Sequence, residues 1–159
     1  MNTLNKISGI IEKIVDVFLI AAFMTMTAAY FSGVVARYVF NLGIPWAEEL
    51  TRYLNVAMVM LGSSTLARYG AHTNITVLEL AAKGKSRKAV KVFQQILTIL
   101  FFSFAARIGV GFAATAKHIS SNMRMPMSVM YYVMSLAFAL LAFQTLVYTC
   151  NLLSGKEGK

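Results

Sequence analysis

Residues 37–54 read RYVFNLGIPWAEELTRYL, and this stretch decides how the chain folds. It is the most polar interruption between two long apolar segments. Arg37 closes the first segment, and Asn41, Gly43 and Pro45 then break the helix. Trp46 opens the next helix, with Glu48, Glu49 and Arg52 in its first two turns. Acids there suit the positive end of the helix dipole. Glu48 and Arg52 stand four residues apart and Glu49 and Arg52 three, so one arginine can serve either carboxylate on a shared face.

Composition gives this stretch its setting. Of 159 residues, 58% are hydrophobic and 13% charged, with a mean hydropathy of +0.65. A soluble domain carries about 25% charged residues, so the chain is expected to be a membrane protein. The net charge of +9 invites nucleic acid or anionic lipid as a partner. In so apolar a chain the basic residues are instead read by their position along the membrane spans, with no nucleic acid expected. Cys150 is the single cysteine, so no intramolecular disulfide forms, and within an apolar segment it is read as packing.

Outward from the central stretch, the expected fold is an all-α membrane protein. It is one four-helix domain over 1–159, with spans at about 15–36, 46–67, 91–116 and 126–153. Leu4, Ile7, Ile11 and Ile14 recur at helical spacing among Lys6, Glu12, Lys13 and Asp16, which predicts an amphipathic lead-in lying at the interface. The uncharged run 17–36 is too long for a signal-peptide core and is read as a retained helix. The uncharged part of the second span, 53–67, is short, so Glu48, Glu49 and Arg52 are placed at the headgroups. Trp46 and Tyr53 fit the aromatic belt there. Residues 75–82 suggest a short surface helix. Arg107, inside the third span, falls toward its far side and is read as a snorkelling side chain.

Four spans put both termini on one side. That side and the 68–91 loop carry Lys6, Lys13, Arg68, Lys83, Lys85, Arg87, Lys88, Lys91, Lys156 and Lys159, against Arg37, Arg52, Lys117 and Arg124 opposite. The positive-inside rule then makes both termini cytoplasmic, with 37–54 and 117–125 facing outward.

Enzyme signatures are absent from the sequence: it has neither a Gly-rich phosphate loop nor paired cysteines. His72 and His118 fall in loops on opposite sides. No catalytic, cofactor-binding or metal-ligating residue is expected. No acid falls deep within a span, where a proton-coupled carrier would need one. Small residues at four-residue spacing (Ala28, Ser32 and Ala36 beside Ala29 and Gly33; Ala105, Gly109 and Ala113) let helices approach closely. They serve either the internal packing or a seam to another subunit. The Met-rich 123–130 stretch is adaptable apolar surface, read as packing.

The order Arg37-Tyr38, Phe40-Asn41, Trp46-Ala47-Glu48-Glu49-Leu50, Arg52-Tyr53, Gly62, then Arg68, Gly70 and His72 resembles the DctQ-like small membrane subunit of tripartite ATP-independent periplasmic (TRAP) transporters. The resemblance covers essentially the whole chain. It implies a bacterial inner-membrane complex that takes up an organic acid on a sodium gradient. A large membrane subunit would hold the substrate and sodium sites, and a periplasmic protein would capture the substrate. This chain would scaffold the large subunit and help dock the periplasmic protein. On that reading Arg37, Glu48, Glu49 and Arg52 form an ion-pair cluster at the helix end and subunit interface, with Arg37 either joining it or reaching phosphate. Trp46 and Tyr53 anchor that end, and Lys117, His118 and Arg124 reach an acidic patch on the periplasmic partner. The alternative is a self-sufficient four-helix carrier or exporter acting as a homodimer, with the Glu pair in a coupling role. A third reading is a membrane anchor for an enzyme complex.

Overall fold

The computed structural model describes residues 2–70 and 85–154. These form four helices: α1 (Asn2–Val39), α2 (Pro45–Arg68), α3 (Lys85–Thr115) and α4 (Ser128–Leu153). The segment read as a short surface helix at 75–82 lies outside the described residues, as does His72. α1, α3 and α4 are each long and apolar enough to cross a membrane; α2, with Glu48, Glu49, Arg52, Asn55 and a Ser-Ser-Thr run, is more polar.

The helices stand in a row. α1 lies against α2, α2 against α4 and α4 against α3, while α3 meets neither α1 nor α2. The 40–44 turn and the 116–127 loop share one end of the row. At the other, the start of α1 bends the arrangement back far enough to touch the end of α4. Val15 of α1, Leu61 of α2 and Ala137 of α4 form the core, flanked by Ile11, Leu19, Met60 and Leu140.

α1 is one continuous helix of 38 residues, so the amphipathic lead-in is not a separate interfacial element. Nothing between Ile10 and Ala22 breaks a helix, and the predicted apolar stripe is split: Ile11 packs against the core, while Lys6, Lys13 and Asp16 stay exposed. Leu4, Ile7 and Ile14 are exposed, whereas Ser8 is fully buried and Glu12 half-buried against other helices. Where lipid solvates apolar side chains, polar groups gain by turning inward to partners. The buried stripe recurs every seventh residue: Ser8, Val15, Ala22, Ala29 and Ala36. That period is the seam of a left-handed helix pair.

The small-residue ladders are used inside the chain in part. Gly33 faces Ala47 of α2, with Ala29 and Ala36 buried beside it, while Ala28 and Ser32 look outward. On α3, Gly109 is closed over by Ser135 of α4, and Ala113 is buried. Along α2, Ser63, Ser64 and Thr65 donate to the carbonyls of Val59, Leu61 and Gly62 at 2.6–2.8 Å, which satisfies their hydroxyls within the helix.

Candidate functional site

At the end of α1, Asn41 adopts a left-handed backbone (φ 54°), which a short polar side chain tolerates. The Leu42 N–H turns back to the Ala36 carbonyl at 3.0 Å. Pro45 then stands in the first turn of α2, where its missing N–H costs nothing. This tight reversal lays Arg37 over Glu48, and Arg37 Nη2 donates to Glu48 Oε1 at 2.7 Å. Both side chains are more than half exposed (63% and 62%), so the pair orients more than it stabilises.

Glu49 does something different. Its Oε1 accepts from Tyr53 Oη at 2.7 Å and from Ser120 Oγ, and its Oε2 accepts the main-chain N–H groups of Asn122 and Met123, each at 2.9 Å. One carboxylate thus pins the 116–127 loop to the start of α2. The loop closes on itself as a short hairpin: Ser120 N–H to Met125 carbonyl at 2.8 Å, Met127 N–H to His118 carbonyl at 2.9 Å, with Ile119 opposite Pro126. Arg124 takes the left-handed conformation at its tip (φ 51°). Lys117, His118 and Arg124 are all exposed on this hairpin.

The expected four-residue cluster is therefore divided. Arg52 makes no ion pair among the described residues, because Glu48 is taken across the helix hairpin by Arg37 and Glu49 by the loop. Arg52 instead lines an open groove between α1 and α2, with Thr51 and Asn55. Trp46 is half-exposed at the start of α2, but Tyr53 is half-buried, its hydroxyl committed to Glu49 and 3.4 Å from Met127 Sδ. Met127, from the Met-rich stretch, packs accordingly.

A second polar set joins α1, α2 and α4 at the opposite end. Arg68 reaches past Gly9 to form an ion pair with Glu12, whose other oxygen accepts from Tyr69 Oη at 2.5 Å. That hydrogen bond raises the pKa of the Tyr69 phenol, with burial adding to it. Ser8 Oγ donates to Gln144 Oε1 at 2.5 Å, and Gln144 Nε2 returns to the Ser8 carbonyl at 3.3 Å. Asn5 and Asn151 exchange side-chain amide bonds at 3.0 and 3.3 Å. Gly70 holds φ 68° beneath the Tyr148 ring, a place where any Cβ would collide. These contacts escaped the sequence reading, because spacing along one helix does not show which residue of another helix it meets. Among the described residues, no three His, Cys, Asp or Glu side chains stand together as a metal site would need.

The model of the family described as the DctQ component of tripartite ATP-independent periplasmic transporters matches residues 26–155. The chain belongs to this family. It is 29% identical over 101 residues to a protein of Haemophilus influenzae named as a TRAP transporter small permease, taking in 64% of this chain and 61% of that one. It is 35% identical over 96 residues to the C4-dicarboxylate TRAP transporter small permease protein DctQ of Vibrio cholerae, taking in 60% of this chain and 41% of that one. The chain thus spans about half the length of the curated relatives it matches. The DctQ match takes in the Arg37–Glu48 pair, Glu49 and the hairpin it holds. It leaves out the first 25 residues, and with them Ser8 and Glu12.

Proposed function

We propose that this chain is the non-catalytic small membrane subunit of a sodium-coupled TRAP transporter for organic acid uptake, scaffolding the large membrane subunit and helping to dock the periplasmic substrate-binding protein. The observation that carries the reading is the Glu49 anchor, a carboxylate spent on fixing a loop to a helix end. A fixed hairpin presents Lys117, His118 and Arg124 as a preformed basic surface, which lowers the ordering cost of docking an acidic partner. α2 is the fourth span on this reading. Its central hydroxyls are bonded within the helix, and its charges stand toward its two ends, Glu48, Glu49 and Arg52 at one and Arg68 at the other, as a crossing helix in contact with lipid requires. On this reading the chain lies in the bacterial inner membrane with both termini cytoplasmic and the Glu49 hairpin periplasmic, an orientation the charge count supports. Family membership favours this reading over a self-sufficient homodimeric carrier.

The test is a pull-down of the chain, tagged at its C-terminus, from native membranes in mild detergent. A large polytopic partner at equal stoichiometry is expected; recovery of this chain alone would overturn the reading. Reversing charge at Lys117 and Arg124 should then lower uptake with the complex intact, and unchanged uptake would remove the docking role.

A further inference from the structure

We propose that the groove between α3 and α4, with Arg107 in its wall, seats a transmembrane helix of the larger membrane subunit, and that this helix brings a carboxylate or a free main-chain carbonyl to the guanidinium. The inference rests on the subunit reading above and adds the face through which the partner is held.

Exposure alone says little here, since lipid covers apolar side chains as well as protein does. The charge is what points to an occupant. Arg107 is exposed on the last third of α3 and makes no hydrogen bond or ion pair among the described residues. Its groove, about 1150 Å³, is otherwise lined by Phe104, Ile108, Tyr132, Leu136 and Ala139. A guanidinium in such surroundings is costly without an acceptor. Arg107 lies eight residues before the end of α3, about 12 Å along the axis. A headgroup phosphate answers the charge only where the side chain reaches the membrane boundary, whereas a helix seated in the groove brings an acceptor to the guanidinium directly.

Two glycines on α3 supply the second argument. A side chain at Gly109 would strike Ser135 of α4, so this glycine serves the internal seam. Gly111, one turn beyond Arg107 in the same groove, has nothing within 4 Å of the place a Cβ would occupy. Glycine weakens a helix interior, and in a membrane helix it permits another backbone to approach closely. Gly111 has that opening, and nothing among the described residues fills it. Among the described residues α3 also meets only α4, which leaves this side of the row open to a further helix.

The experiment uses the assembled complex. Gly111→Leu should leave the helicity and thermal stability of the isolated chain unchanged but lower recovery of the large subunit by about tenfold. Gly109→Leu should damage the isolated chain itself. Arg107→Leu should also weaken assembly without harming the isolated chain, and Arg107→Lys should restore part of it. Photo-crosslinkers at Ile108 and Leu136 are expected to capture the large subunit, with Ile20 and Phe23 on the outer side of α1 as controls. If the complex is recovered but only the α1 positions crosslink to the large subunit, the inference fails and the subunit reading stands. Capture of only lipid or a second copy from the groove, with the complex intact, overturns the inference in the same way. If no large subunit accompanies the unmodified chain, the subunit reading fails first.

Discussion

Removing the serine hydroxyl at position 8 should cost more than removing the whole glutamine it serves. Ser8 and Gln144 are both fully buried, and the 2.5 Å bond between Ser8 Oγ and Gln144 Oε1 joins α1 to α4 where these helices otherwise barely meet. In Ser8→Ala, the glutamine oxygen stays buried without a donor, a loss of about 1–3 kcal/mol. In Gln144→Leu, the serine can turn to a carbonyl of its own helix, as Thr25 and Thr145 do at 2.8 Å. What is lost is then the interhelical bonding itself, about 0.6 kcal/mol and at most about 1.7. The double variant should resemble Gln144→Leu alone, so the cycle should return a coupling as large as the Ser8→Ala loss itself, about 1–3 kcal/mol. Reversible unfolding of the detergent-solubilised chain, followed by helical circular dichroism, measures all four corners. Additive losses within about 0.3 kcal/mol would refute the reasoning, because the two side chains would then not depend on each other.

Three further outcomes follow from the same contacts. Glu49→Ala frees two main-chain N–H groups and two hydroxyls at once, so limited proteolysis within 117–125 should quicken while the helical content holds; an unchanged cleavage rate would deny the anchor. The Gln94 amide atoms are buried and have no partner among the described residues, so Gln94→Leu should stabilise the chain by about 1 kcal/mol in the same unfolding assay. Gly70→Ala forces a Cβ into left-handed backbone and against the Tyr148 ring, and should lower the melting temperature for a loss of at least about 1–2 kcal/mol.

Local chemistry was the legible part of this fold. Asn41 and Pro45 mark the reversal by their own backbone preferences, and the structure turns the chain between them. Long apolar runs read directly as helices. The candidate site was legible in its residues and opaque in its pairings. The three- and four-residue spacing joined Arg52 to Glu48 and Glu49, but both carboxylates found partners across space, and helix-face rules carry no information about a loop far along the chain. Two of Glu49's partners are main-chain N–H groups, which no side-chain pattern announces. The first turns of α1 misled for another reason. Leu4, Ile7 and Ile14 form a good apolar stripe, yet a stripe does not say whether lipid or protein covers it; the burial of Ser8 and Glu12 on the other side answers that.

The seven-residue stripe along α1 has a mechanical consequence. At 38 residues the helix is about 57 Å long, nearly twice the roughly 30 Å thickness of a hydrocarbon layer. It is riveted to α2 near both ends, by Glu12 to Arg68 and by Arg37 to Glu48. Sliding by one residue would rotate the stripe by about 100° and lift Ser8, Val15, Ala22, Ala29 and Ala36 out of their seats together. The α1–α2 hairpin is therefore a strut: a load on its turn reaches the far end as tilt of the whole rod, with little bending and no slip.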